Sequence, residues 1–341
     1  MKLYTDHSGK FQMYIPIDWQ YKNPTYYNAV NDNNPQSFAL YDDMLGAFQI
    51  SCKPVNEHIS KLIKVRKEPT QSSDAKTLSF SENINIFDSI EVYMFSCAVD
   101  DHFLFATYTI TDKKENLRDK YNEELRKVRE TLSTIKFIKP EFRDKVIALR
   151  RFGLFMASIA TTIDLKNRAI ENNSFIEYVV LSANSIDASL RLSIILTSQI
   201  ENKNDEIDTN LLFQSESDKP IMEREIYKQT LDKGIISQEI YDELEELYKQ
   251  RNRVVHRYII TDIRTDEIFD IAHKYAILDS KIGCIVNNLE QEQVKQKVGI
   301  HKNNNDLGTK PDGVELERII SCIKDKHGKI SYHNILDQEE K

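Results

Sequence analysis

The sequence predicts an α+β protein in two parts: an N-terminal antiparallel sheet sandwich closed by one helix, then an all-α helical bundle. Three observations carry this reading. Apolar residues alternate in short runs through the first 138 positions, which is the period of a strand. From about Phe142 the apolar residues recur at helical spacing, with few glycines. At 341 residues the chain also exceeds the size at which a single core stops growing, so two domains are expected.

The strands come first. Phe11, Met13 and Ile15 alternate with Gln12 and Tyr14 ahead of Pro16, and the runs Phe38 to Tyr41 and Ala47 to Ser51 follow across a turn containing Gly46. Ile90 to Phe95 and Phe103 to Ile110 flank Asp100-Asp101-His102, which predicts a hairpin. The stretch from about Asn56 to Ser79 is polar and reads as a loop. Leu117, Tyr121, Leu125, Val128, Leu132 and Ile135 then mark an amphipathic helix that can cover one face of the sheet. Asp42, Asp43, Asp100 and Asp101 invite a metal reading, but acidic residues at solvated turns explain them without one.

Lys139-Pro140-Glu141 interrupts this pattern, because proline starts helices well and rarely continues them. We place the boundary there, with a first domain over 1–138, a helical bundle over 142–298, and a linker with a short amphipathic helix over 299–341. Helices are expected over roughly 142–170, 175–200, 221–232, 237–258 and 265–297. Ser174 followed by Glu177 has the form of a capping box. The helix it opens is apolar nearly all round, which places it at the centre of the bundle. The segment 201–219 reads as an acidic surface loop, and 301–314 as a flexible linker before Leu316, Ile319, Ile320 and Ile323.

Composition excludes several functions. The net charge is -8, so affinity for nucleic acid must come from a local basic patch and not from the overall field. Cys52, Cys97, Cys284 and Cys322 are widely spaced, which fits neither a zinc site nor a disulfide framework. No uninterrupted apolar run reaches membrane-spanning length and no secretory signal opens the chain, so a cytoplasmic protein without a membrane partner is expected.

One segment concentrates chemistry. In the helix over 237–258, Ile240, Leu244, Leu247, Tyr248, Val254, Val255 and Tyr258 fall on one stripe, and Arg251 sits in its middle. A guanidinium on an apolar face needs an anionic partner. Asp187, inside the apolar stripe of the central helix, is the expected one; a buried pair that merely locks two helices would look the same. Around Arg251 lie Asn252, Arg253, His256, Arg257 and Tyr258, a basic cluster in an acidic protein. His273 is a secondary candidate, and the remaining histidines have no ligand-like spacing.

Two resemblances follow from these residues. The stretch Phe11 to Trp19, the strands after it and the closing helix resemble the PsbP-like fold over residues 1–138, which implies a binding or docking module. The spacing Arg251-x4-His256-x-Tyr258 resembles the HepT-like branch of the HEPN superfamily, covering about 142–298. That resemblance implies a metal-independent endoribonuclease of toxin or phage-defence type, with no cofactor, acting on RNA as a homodimer. It also implies that Tyr258 is a target for adenylylation by a separate nucleotidyltransferase antitoxin.

The residue types suit such chemistry. A histidine can take the proton from a 2'-hydroxyl or deliver one to the leaving oxygen, and an arginine stabilises charge on the phosphoryl oxygens. Asn252, four residues before His256, can hold either the imidazole or the phosphate. Five residues turn a straight helix by about 140°, however, so Arg251 and His256 diverge. Either the helix ends or kinks near Val255, or a two-fold dimer brings two motifs to one cleft. A non-catalytic RNA- or nucleotide-binding module and a protein-interaction adaptor are the competing readings.

Overall fold

The computed structural model describes residues 1–22, 35–40, 45–66, 69–87, 90–111, 115–214, 219–304 and 313–327. It is α+β, with sheets in the N-terminal region and helices in the C-terminal region. Contacts divide the chain into two units, Met1–Ile147 together with the C-terminal segment from Leu316, and Ala148–Glu315.

In the first unit, β1 (Lys2–Thr5), β2 (Phe11–Ile15) and β10 (Lys136–Phe137) form a small antiparallel sheet. The larger sheet runs β3 (Trp19–Lys22), β4 (Gln36–Leu40), β5 (Ala47–Pro54), β9 (His102–Ile110), β8 (Ile90–Val99) and β6 (Thr70–Gln71), with β7 (Ser81–Phe87) also pairing β8. The pairing departs from purely antiparallel at β6, which lies parallel to β8. Alternation does what it predicts: Phe11, Met13 and Ile15 are buried while Tyr14 faces solvent. The β8–β9 hairpin turns at Asp100, whose φ of 47° an aspartate tolerates better than most residues, and His102 already belongs to β9.

Helix α2 (Arg118–Ser133) closes the core through Tyr121, Leu125, Val128 and Leu132, and its Glu124 accepts a 2.9 Å hydrogen bond from the indole Nε1 of Trp19. The polar stretch read as a loop contains α1 (Glu57–Arg66), whose Ile59 packs on Ala98 and Phe103. Its apolar positions are too few to reveal a helix by period. Asp42, Asp43 and Tyr41 lie outside the described residues. Among the described residues no group of three metal-ligating side chains occurs. Cys52 and Cys97 are buried, with burial pushing the Cys52 thiol up to about 12, whereas Cys284 is exposed.

Helix α9 (Gly313–His327) joins this first unit and does not stand alone after a linker. Its Ser321 hydroxyl donates to the carbonyl of Ile17 at 3.0 Å, and Lys2 reaches Asp325 at 2.6 Å.

The helical unit follows the expected order closely, with α3 (Pro140–Glu171), α4 (Phe175–Asn202), α5 (Thr209–Leu212), α6 (Glu223–Asp232), α7 (Gln238–Arg257) and α8 (Thr265–Gln296). The division between units falls inside α3, eight residues after its first residue Pro140, and not at the proline itself. Ser174 is the N-cap of α4 but makes no side-chain cap bond, so the capping box is absent. Ser237 does cap α7, accepting from the Ile240 amide at 3.4 Å. Helix α4 is central, packing on α8, α6 and α7.

Both α3 and α4 are long and apolar enough to cross a membrane by length and composition, which an unbroken-run criterion misses because polar residues punctuate them. In α4, 67% of that window is buried inside the bundle, as a core helix requires; in α3 only 6% is.

Candidate functional site

The site is built on α7, whose acidic first turn and basic last turn complement the helix dipole and favour a long continuous helix. Leu244, Leu247 and Val254 bury its inner stripe, and Tyr275 of α8 fixes it by donating to the Leu247 carbonyl at 3.0 Å. Arg251 sits on that stripe as the spacing requires. Its partner is not Asp187. Arg251 Nη1 donates to Glu223 Oε2 at 2.6 Å, and each side chain is only 17% exposed.

Glu223 lies in the first turn of α6, where the helix N-terminus favours a carboxylate, and its other oxygen accepts the Tyr227 hydroxyl. Arg251 also stacks over the Tyr248 ring at 4.8 Å and donates to Asn252 Oδ1 at 3.3 Å. Burial works against its charge, but the Glu223 carboxylate more than offsets this and the guanidinium pKa rises further. Burial, then the neighbouring Glu223, pushes the Tyr227 phenol up, so this cluster keeps a neutral phenol beside an ion pair.

Asp187 instead accepts Arg191 Nε at 2.7 Å, one turn along α4. Arg191 donates onward to the Ile221 carbonyl at 2.9 Å and tethers the segment leading into α6. Burial raises the Asp187 pKa against the pull of Arg191, and its Oδ1 is buried without a hydrogen-bond partner. Asp187 therefore acts on Arg251 only through space, one ion pair removed.

The other predicted residues lie elsewhere on α7. His256, Arg253 and Arg257 are exposed, with Arg253 reaching Glu267 at 3.4 Å. The α-helix continues past Val255 to Arg257, where a 3-10 turn takes over, and along it the helical rotation leaves Arg251 and His256 of the monomer about 140° apart. Arg253 and Lys249 are the cations on the His256 side, roughly 60° and 20° from it around the axis. That side borders an open cleft between α7 and α8 lined by Lys249, Gln250, Arg253, Glu267, Asp270 and Lys274. His273 is exposed on α8.

Tyr258 leaves the buried stripe. It starts a 3-10 turn, Tyr258–Ile260, and is exposed, with Ile259 and Ile260 93% and 79% exposed beside it.

No family model matches the chain, and no curated protein matches it. Among solved structures, a protein of Bacteroides thetaiotaomicron is similar over 74% of this chain and 79% of its own length, at 13% identity and a TM-score of 0.29, too low to define a common fold.

Glu223, Tyr227 and Arg191 are the members of the site that spacing did not reveal. Glu223 and Tyr227 do stand four residues apart on one face of α6, a signal that a buried tyrosine has a carboxylate within reach.

Proposed function

We propose that the chain is a metal-independent endoribonuclease of toxin or phage-defence type, with a HEPN-like bundle as catalyst and a PsbP-like sandwich as its docking or regulatory module. The observation that carries this reading is the basic end of α7. A charged Arg251 is held rigidly by Glu223, Tyr248 and Asn252, while His256, Arg253 and Arg257 stand exposed within two turns of it.

In this reaction the 2'-oxygen of the RNA attacks phosphorus, the bond to the 5'-oxygen breaks, and the 2'-hydroxyl proton is lost as the leaving oxygen gains one. His256 handles one of those protons, and guanidinium groups stabilise the charge on the phosphoryl oxygens. The products are a 2',3'-cyclic phosphate and a 5'-hydroxyl. Because Arg251 and His256 diverge on one helix, the working site combines Arg251 of one copy with His256 of another in a homodimer. Asn252 orients Arg251, and Asp187 supports it through space. Arg253 and Arg257 hold flanking phosphates.

Exposure of Tyr258 beside two exposed isoleucines supports its role as the residue a nucleotidyltransferase partner adenylylates, docking on that apolar turn. We place this activity in the cytoplasm as part of the same proposal.

A second reading, a module that binds RNA or a nucleotide without cleaving it, is favoured by the Glu223–Arg251 pair, which already satisfies the guanidinium. Incubation of purified protein with total RNA in EDTA separates the two. Cleavage leaving cyclic-phosphate ends, abolished by both Arg251→Ala and His256→Ala, supports the nuclease; binding without cleavage supports the module.

A further inference from the structure

The segment 298–304, which follows α8, is docked on the helical bundle by buried polar groups. Lys297 terminates α8 in the left-handed region, and the Val298 amide donates back to the Gln293 carbonyl at 3.0 Å. Gln293 of α8 and Gln199 of α4 are fully buried, and Gln293 Nε2 donates to Gln199 Oε1 at 2.8 Å. Their side-chain oxygens receive the segment. The Ile300 amide donates to Gln199 at 3.3 Å, the His301 amide to Gln293 at 3.2 Å, and the Gly299 amide to the Asn204 carbonyl at 3.1 Å. Gly299 has a φ of 73°, and a Cβ there would collide with the Gln293 side chain, so glycine is what lets the chain lie this close.

This docking carries the His301 ring into a mostly buried position between α3 and α8. The ring meets Phe152 edge-on at 6.5 Å. Its Nε2 lies 3.6 Å from Glu290 Oε1, with each side chain 16% exposed. That separation is too long for a hydrogen bond, and Nε2 is buried without a partner. Glu290 is the charged group that faces the ring. On α3 the adjoining Arg151 lies over the Phe213 ring, the end of α4 presents the neutral Gln199 and Asn204, and Lys302 of the segment itself pairs with Asp205 at 3.1 Å. Burial pushes the His301 imidazole down from its ordinary value and the Glu290 carboxyl up, so both groups are driven toward their neutral forms.

We propose that His301 is a proton-operated latch: with a neutral imidazole the segment 298–304 stays docked on the bundle, and protonation releases it. A proton added to the docked ring places a charge where no acceptor is within hydrogen-bond reach, opposite a carboxyl that burial drives away from the ionised form. Undocked, the same imidazole accepts a proton from water at about pH 6.5. Below that pH the undocked segment binds more protons than the docked one, so docking weakens as the pH falls. Glu290 works in the other direction, because its docked carboxyl takes up a proton at higher pH than an exposed one, and it returns part of the docking at the acid end of the range.

Hydrogen exchange of the full chain, read by mass spectrometry at pH 7.5 and pH 5.5 and corrected for the intrinsic pH dependence of amide exchange, tests the latch at the Gly299, Ile300 and His301 amides. Peptides covering them are expected to exchange up to about tenfold faster at pH 5.5, the factor by which an exposed imidazole favours its protonated form at that pH. Peptides from α4 and α8 away from the segment should keep their rates. His301→Gln, which takes up no proton, should show equal protection at both pH values, whereas Gly299→Ala, which cannot dock, should exchange fast at both. Unchanged protection of the parent at pH 5.5, tighter protection there, or the same acid response in His301→Gln would each overturn the proposal. Should His301→Gln undock at both pH values, the titration of the ring itself decides. The imidazole NMR resonance missing from the His301→Gln spectrum should titrate below about 6.5 in the parent and return to about 6.5 in Gly299→Ala; an equal value in the two proteins overturns the latch.

Discussion

Glu223 and Arg251 meet across α6 and α7 at 2.6 Å, and the pair is the fixed point around which the candidate site is arranged. Tyr227, Tyr248 and Asn252 each touch one member of it, so the guanidinium has a single defined position before any ligand arrives.

Removing either partner strands the other in a mostly buried setting. Glu223→Ala and Arg251→Ala are each expected to cost about 2 to 4 kcal/mol, with a coupling of about 1 to 3 kcal/mol in the double-mutant cycle. Urea denaturation of the two single variants and the double variant measures this. Additive losses would show that the pair contributes nothing as a pair.

His256 is exposed, so His256→Ala should leave stability within about 0.5 kcal/mol of the parent while abolishing cleavage. A site shared between copies makes a sharper prediction. Arg251→Ala and His256→Ala proteins, each inactive, regain roughly a quarter of parental activity when mixed and allowed to exchange subunits, because half the dimers then hold one intact site of two. Zero recovery in mixtures shown to contain heterodimers would place both groups of a site in one copy.

Burial raises the folded-state pKa of Asp187 above its unfolded value of about 3.9. Between those two values the folded chain binds the extra proton, so this carboxyl's contribution to stability is greatest at low pH and is lost as pH rises through the folded pKa. The stability difference between Asp187→Asn and the parent should therefore drift in favour of the variant from pH 4 to pH 7. Parallel chemical denaturation of the two proteins across that range gives the slope, and a drift in the opposite direction would mean that the pairing with Arg191 outweighs burial.

Lys166 and Asp279 anchor α3 to α8 through a pair that is largely removed from solvent. Lys166→Ala should cost about 3 kcal/mol by leaving the carboxylate unpaired, whereas Lys166→Met combined with Asp279→Leu should recover most of it. Thermal denaturation reads both, and equal losses in the two variants would show that the pair is worth more than apolar packing in its place.

Helix order, the limits of α4, α7 and α8, and the main β-hairpins are legible in the sequence because they depend on spacing within a short window. Apolar residues every three or four positions leave few alternatives to a helix. Short strands such as β1, β6 and β10 are not legible in this way, since two to four residues carry no period and exist only because a neighbouring strand offers a free edge. Helix α1 escaped for the same reason, its few apolar residues being selected by the sheet beneath it.

Within the candidate site, local spacing placed Arg251 on the inner stripe of α7 and His256 away from it, and it demanded an anion for the guanidinium. Which anion answers was a matter of packing: Asp187 and Glu223 are both acidic residues near the same space, and the tether from Arg191 to Ile221 brings α6 close enough for Glu223 to win. A helix's own chemistry sets which residues share a face, because that depends on rotation per residue. What each face meets depends on contacts between segments far apart in the chain, which no local pattern encodes.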